Sequence, residues 1–213
     1  MIITNHGKQF FKITQGDTTV AINPLSKENT LNIKPTKFGS DVALCTVRHP
    51  DYNGFENTIH SGKEPFKIYG PGSYEVNGNS YVGFQSHAVI DEAEYVNTIY
   101  FFVLEGISFC FLGDISDPSK ITEKTKEYIE SVDVIFAPIG GAGTLDPVQA
   151  AKAIKAFSPR VVIPMDYGSD RDAGSLDTFL KEMSSSAEAE SKFVFKKKDL
   201  ETMTGHVVVL DAQ

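Results

Sequence analysis

Four side chains are placed to do chemistry, because each follows an apolar, β-prone run: His49 and Asp51 after Val42–Val47, Asp114 after Ile107–Leu112, and Asp166 after Arg160–Met165. Ligand sites in open sheets gather where strands end. An imidazole and three carboxylates form a donor set for a cation. Pro50 keeps His49 extended, and residues two apart in an extended segment project to the same side, so His49 and Asp51 can face one pocket. The same residues also have a purely structural reading. Asp114, between Gly113 and Asp117-Pro118, can brace its loop, and Asp166-Tyr167-Gly168 can be an ordinary turn.

Other reactive side chains lack partners at useful spacing. His6, His60 and His206 stand alone, and no serine sits in a G-x-S-x-G elbow. Cys45 and Cys110 lie inside apolar runs rather than at an electropositive helix start, which favours buried free thiols over nucleophiles. Gly140-Gly141-Ala142-Gly143 lacks the lysine of a phosphate-binding loop and reads as a loop passing close to the site.

These residues need a scaffold, and the first half of the chain reads as β-rich. Phe10–Thr14 and Thr18–Ile22 form a hairpin around Gln15-Gly16-Asp17. Val42–Val47, Phe66–Tyr69, Ser73–Val76 and Ser80–Gln85 follow, with Asn77-Gly78 as a tight turn. Thr98–Leu104 and Ile107–Leu112 pair around Glu105-Gly106. Helices come later. Asp117-Pro118 predicts a helix reaching Ile129, and Asp146-Pro147 opens a second over Val148–Phe157, each with a capping carboxylate before proline. Val132–Ile139 and Arg160–Met165 are buried strands, Ser175–Met183 is a third helix, Ser184–Glu188 a mobile loop, and Val207–Leu210 a closing strand. Strands early and βαβ units late indicate an α/β layered fold, read as one domain over residues 1–213.

Charge and composition narrow the partners. A formal charge of −8 disfavours a nonspecific grip on nucleic acid or an anionic membrane. Lys196-Lys197-Lys198 is followed by Asp199 and reads as a solvated turn. No apolar stretch approaches the ~20 residues of a membrane span. The start of the chain lacks a signal-peptide layout, so the expected location is cytoplasmic.

Thr46-Val47-Arg48-His49-Pro50-Asp51-Tyr52-Asn53-Gly54 resembles the T-V-S-H-x-H-x-D-H segment of the metallo-β-lactamase superfamily. Asn5–Ile13 resembles the opening Y-x-G-H-S-x-F-x-I strand of its small stand-alone hydrolases, and Tyr69–Val76 their G-P-G-E-Y-E-V segment. Leu112-Gly113-Asp114, Pro138–Asp146 and Ile163–Tyr167 resemble H-L-G-D, P-V-G-G-x-x-T-L-D and I-P-M-H-Y. The resemblance runs almost the full length and implies a four-layer αββα sandwich.

The family's two-metal centre is only partly matched. His49 and Asp114 fall on ligands in kind, and Asp51 and Asp166 stand where histidines do. Asn53, Gly54 and Ala88 replace ligands with residues that are not. His87, one place early, reads as a bracing or surface histidine. Lys8 replaces the histidine of G-H-S, and Asn23 the aspartate of D-P. A hydroxide bridging two cations is the basis of two-metal hydrolysis, and a second metal here would keep only Asp114 and Asp166.

The expectation is therefore a protein related to metal-dependent hydrolases with a degenerate dinuclear site and no ordinary two-zinc activity, binding a small-molecule ligand. The rival is a hydrolase of small phosphorylated or cyclic esters with one divalent ion at His49, Asp51, Asp114 and Asp166, and with Asp51 and Asp114 as candidate catalytic residues. Such an oxygen-rich set suits Mn²⁺ or Mg²⁺ better than Zn²⁺. A structural homo-oligomer is the third reading.

Overall fold

Two mixed β-sheets pack face to face in the computed structural model, which describes residues 1–130, 132–168 and 174–213. The first sheet holds β1 (Ile2–Asn5), β2 (Phe11–Gln15), β3 (Thr18–Ile22), β4 (Val42–Leu44), β5 (Phe66–Ile68) and the two-residue β13 (Phe193–Val194), in the order β13-β1-β2-β3-β4-β5. The second holds β6 (Gly72–Val76), β7 (Asn79–Ile90), β8 (Ala93–Leu104), β9 (Ile107–Phe111), β10 (Val134–Pro138), β11 (Val161–Met165) and β14 (His206–Val207), in the order β14-β11-β10-β9-β8-β7-β6. Short strands β12 (Ala189–Glu190) and β15 (Val209–Leu210) pair in parallel.

Aromatic residues fill the space between the sheets. Phe11 from the first sheet meets Phe136 and Phe111 of the second, with ring centroids 4.9 and 6.0 Å apart in edge-on contact. Each such buried ring contributes about 1.5–3 kcal/mol by leaving water. The outer face of the second sheet is covered by α1 (Glu123–Ile129), α2 (Pro147–Phe157) and α3 (Ser175–Glu182), whose Ile129, Ile154, Phe157 and Phe179 pack on Ile135, Ala137 and Val162. Covered on both faces, β10 and β11 are buried at every position, as strands inside an α/β layer must be. The outer face of the first sheet packs Phe10, Ala21 and Ala43 against Leu25, Leu31, Phe38 and Phe55. A one-turn helix, α4 (Lys197–Leu200), carries the lysine cluster and buries only Leu200.

Several elements depart from the sequence expectation for local reasons. The strand expected over Val42–Val47 ends at Leu44: the Cys45 N–H still donates to the Ile68 carbonyl of β5 at 2.8 Å, but the Thr46 carbonyl turns to the second sheet and accepts from the Thr98 N–H of β8 at 2.9 Å. Ser80–Gln85 and Thr98–Leu104 belong to a longer hairpin, Asn79–Ile90 with Ala93–Leu104, turning at Asp91 and Glu92, both at positive φ. The helix expected from Asp117 is split. Asp117 caps only a 3₁₀ turn over Pro118–Lys120, and α1 starts afresh with Thr122 as its cap. α2 opens as expected, with Asp146 and Gln149 forming a reciprocal capping box. No helix among the described residues is long and apolar enough to cross a membrane.

Candidate functional site

The site lies where β1 turns into β2, where β4 ends, and where β9 and β11 deliver Asp114 and Asp166. Gly113, at φ +65°, permits the turn into Asp114, and a Cβ there would overlap Asn97 Oδ1. That same oxygen accepts from the Asp114 N–H at 3.0 Å, so Asn97 fixes where the carboxylate points. Lys8, Asn23 and Asp166 all have left-handed backbone, with φ of 52°, 51° and 57°. Non-glycine residues in this region cost about 1–2 kcal/mol each and persist where the surroundings over-determine them.

The structure brings Asp114 and Asp166 together through a residue the sequence reading did not single out. Gln9 donates one amide hydrogen to Asp114 Oδ1 at 3.0 Å and the other to Asp166 Oδ2 at 2.9 Å. Its orientation is set by Asn23, which donates to Gln9 Oε1 at 3.3 Å and to Thr46 Oγ1 at 2.9 Å while accepting from the Thr46 N–H at 2.8 Å. An aspartate at position 23 would have no N–H to offer Gln9. Tyr52, fully buried, donates its hydroxyl to Asp114 Oδ1 at 3.0 Å and packs beside Ala88.

Asp51 has different partners. Lys8 Nζ stands 3.0 Å from its Oδ2, and Thr30 donates its backbone N–H at 2.7 Å and its hydroxyl at 2.9 Å. Burial raises the Asp51 carboxyl, but the Thr30 and Lys8 donors and the Lys8 charge outweigh it and hold the group below its ordinary value. His49 is beside Asp51, its Nδ1 3.8 Å from Oδ2 and accepting from the Asp51 N–H at 3.3 Å. Its ring meets the edge of Tyr95 at 5.7 Å.

Lys8, Thr30, Asp51, Asp114 and Ala142 line a cavity of about 150 Å³, with Ala142 coming from the glycine-rich loop expected to pass near the site. A neighbouring cleft of about 490 Å³ is lined by Thr46, Arg48, Tyr69, Tyr95, Val96 and Thr98.

The donor set does not fit a divalent ion. One oxygen of Asp51 faces an ammonium, and a single amide spans Asp114 and Asp166. Among the described residues, no group of three or more His, Cys, Asp or Glu side chains converges to hold a metal. Gly54 sharpens the point: a Cβ there would overlap the Leu25 carbonyl, so this backbone has no room for a side chain where the family motif has its last histidine. His87 lies half-exposed with its Nε2 3.5 Å from Glu94.

The remaining candidates are structural. Burial pushes the Cys45 thiol up to about 12, and it donates to the Val47 carbonyl. Cys110, fully buried, is raised as well. His6 meets Phe10 and Phe38 in tilted ring contacts, and burial, followed by the charge of Lys12, lowers its pKa to about 4. Sequence signals for the missed residues existed. Gln9 stands at the serine of G-H-S and Tyr52 at a variable position of the histidine motif, and neither is a metal ligand type.

Comparison with known proteins places this geometry. The profile of the β-lactamase superfamily domain matches residues 2–166. A protein of Pyrococcus furiosus described as a metal-dependent hydrolase is 29% identical over 178 residues, covering 72% of this chain and 79% of its own. One of Lysinibacillus sphaericus with the same description is 26% identical over 201 residues, covering 78% and 85%. Among solved structures, a Thermotoga maritima protein described as a Zn-dependent hydrolase of the metallo-β-lactamase superfamily superposes with a TM-score of 0.73 at 24% identity, over 100% of this chain and 99% of that one. Two face-to-face mixed sheets with flanking helices, and a site at the strand ends, agree with these matches: the chain belongs to the β-lactamase superfamily domain family and has the metallo-β-lactamase fold.

Proposed function

We propose that this chain is a small-molecule-binding member of the superfamily that does not run two-metal hydrolysis. The observation that supports this most is the Gln9 amide, whose two hydrogens go to Asp114 and Asp166, the pair that the family resemblance assigns to one metal. Two-metal hydrolysis needs cations about 3.5–4 Å apart to activate a bridging hydroxide, and amide hydrogens do not replace that charge. The replacements at Asn53, Gly54 and Ala88 point the same way.

The ligand site in this reading is the larger cleft. Arg48 holds its guanidinium 5.0 Å from the Tyr69 ring centroid at the cleft wall, and Tyr95 and Thr98 add an aromatic face and a hydroxyl. A guanidinium next to aromatic rings suits a small planar anion bearing a carboxylate or phosphate. The rival, hydrolysis with one divalent ion at His49, Asp51, Asp114 and Asp166, draws its support from relatives described as metal-dependent hydrolases and from His49 lying beside Asp51.

Elemental analysis of protein purified with added zinc and manganese, together with turnover of phosphodiesters and lactones, tests the proposal. Substoichiometric metal and no turnover are expected. Two tightly held equivalents with turnover overturn it. Turnover abolished by His49→Ala, with loss of a single bound ion, selects the rival.

A further inference from the structure

We infer that Lys8 is a built-in cation: its ammonium takes the place of a metal beside Asp51 and keeps divalent ions out. The inference rests on the proposed function and names what replaced the metal.

Lys8 and Gln9 are consecutive residues in the turn between β1 and β2, and between them they reach Asp51, Asp114 and Asp166, the buried carboxylates among the described residues. The turn is set by local bonds. His6 N–H donates to the Phe10 carbonyl at 2.7 Å, Phe10 N–H to the Gly7 carbonyl at 2.8 Å, and Gly7 N–H to Asn5 Oδ1 at 2.9 Å. From there the Lys8 side chain, only 7% exposed, crosses the Tyr52 ring with Nζ 4.8 Å from its centroid and ends 3.0 Å from Asp51 Oδ2.

Lysine is among the residues least often buried, and a buried ammonium is stable only when paired. This one is paired with a carboxylate that is itself 2% exposed. Thr30 supplies two hydrogen bonds to Asp51 but no charge, so without this ammonium the buried carboxylate must take up a proton or accept another cation. A lysine at left-handed φ adds a second point. Glycine would fit that backbone without strain, so the conformation does not explain the lysine and its charge does.

Removing the ammonium should therefore open a cation site. Lys8→Gly suits the left-handed backbone and frees the space, Lys8→Met fills it without charge, and Lys8→Arg keeps the charge. Isothermal titration with Mn²⁺ and Zn²⁺, and melting curves with and without each ion, provide the readout.

The unchanged protein is expected to show no stoichiometric binding. Lys8→Gly should take up about one equivalent with affinity about tenfold or more above the parent, and adding Asp51→Asn to it should remove the gain. Lys8→Met should fall between these, and Lys8→Arg should behave as the parent. Stoichiometric binding by the parent overturns the inference, and so does a folded Lys8→Gly that gains none. If Lys8→Gly does not fold, Lys8→Asn, also tolerant of left-handed backbone, takes its place and is judged by the same gain of a site. A folded Lys8→Gly that gains no site leaves the proposed function standing, because that is judged by the metal content and turnover of the unchanged protein.

Discussion

Gln9 and Asp166 are 157 positions apart in the chain, yet the Gln9 amide nitrogen stands 2.9 Å from Asp166 Oδ2 in a buried contact. The same nitrogen serves Asp114, so one side chain joins the ends of β9 and β11 to the turn between β1 and β2. Gln9→Ala should cost about 2–4 kcal/mol, because two buried carboxylates each lose a donor. Urea unfolding measures it. Gln9→Glu should cost more, since it adds a third carboxylate to the pair. A loss under about 0.5 kcal/mol, the range of a surface change, would contradict a bridging role.

Tyr52 combines two functions that can be separated. Tyr52→Phe keeps the ring under the Lys8 ammonium and deletes only the hydroxyl that donates to Asp114. The expected loss is about 1.5–3 kcal/mol, the range of a hydrogen bond to a charged group. Thermal melts of the single and double variants with Gln9→Ala should show non-additive losses, since both side chains serve one carboxylate oxygen.

Gly54 is held by close approach to the Leu25–Ser26 backbone, not by any positive φ. Gly54→Ala should destabilise by about 1–3 kcal/mol through overpacking, although the position lies in a loop. Putting a histidine there should therefore not restore metal uptake. Denaturant midpoints and metal titration of Gly54→Ala and Gly54→His give the answer, and a stable Gly54→His that binds zinc would disprove it.

His6 sets a pH dependence with a defined sign. Its pKa is about 4 folded against 6.5 for the free side chain, so above pH 6.5 it is neutral in both states and its contribution is intact. As pH falls from 6.5 towards 4, the unfolded chain takes up a proton that the folded chain refuses, and stability drops by about 2 kcal/mol. His6→Phe retains an aromatic ring against Phe10 and Phe38 and should flatten this segment of the profile. Equal slopes for parent and variant between pH 4 and 6.5 would assign the dependence elsewhere.

Much of the fold was legible locally. The Asp146-Pro147 start of α2, the hairpin at Gly16 and the buried β10 and β11 follow from capping chemistry, turn residues and continuous apolar runs. The end of β4 was not legible. Nothing in Cys45-Thr46-Val47 announces that Thr46 bonds across to Thr98 in the other sheet. Asp117 caps as expected, but the extent of its helix was not legible either, because its proline starts a turn that Ile121 ends before Thr122 begins the helix.

The residues alone reveal departures from the family pattern in segments far apart along the chain: Asn53, Gly54 and Ala88 at ligand positions, and Lys8 and Asn23 at other landmarks. Read one at a time, they are losses. The folded chain joins two of them in one network, in which Asn23 orients Gln9, Gln9 binds Asp114 and Asp166, and Lys8 compensates Asp51. The physical reason is that residue type fixes which donors and acceptors exist, whereas hydrogen bonds and ion pairs act over about 3 Å. Which of them meet is set by how the two sheets bring distant strand ends together.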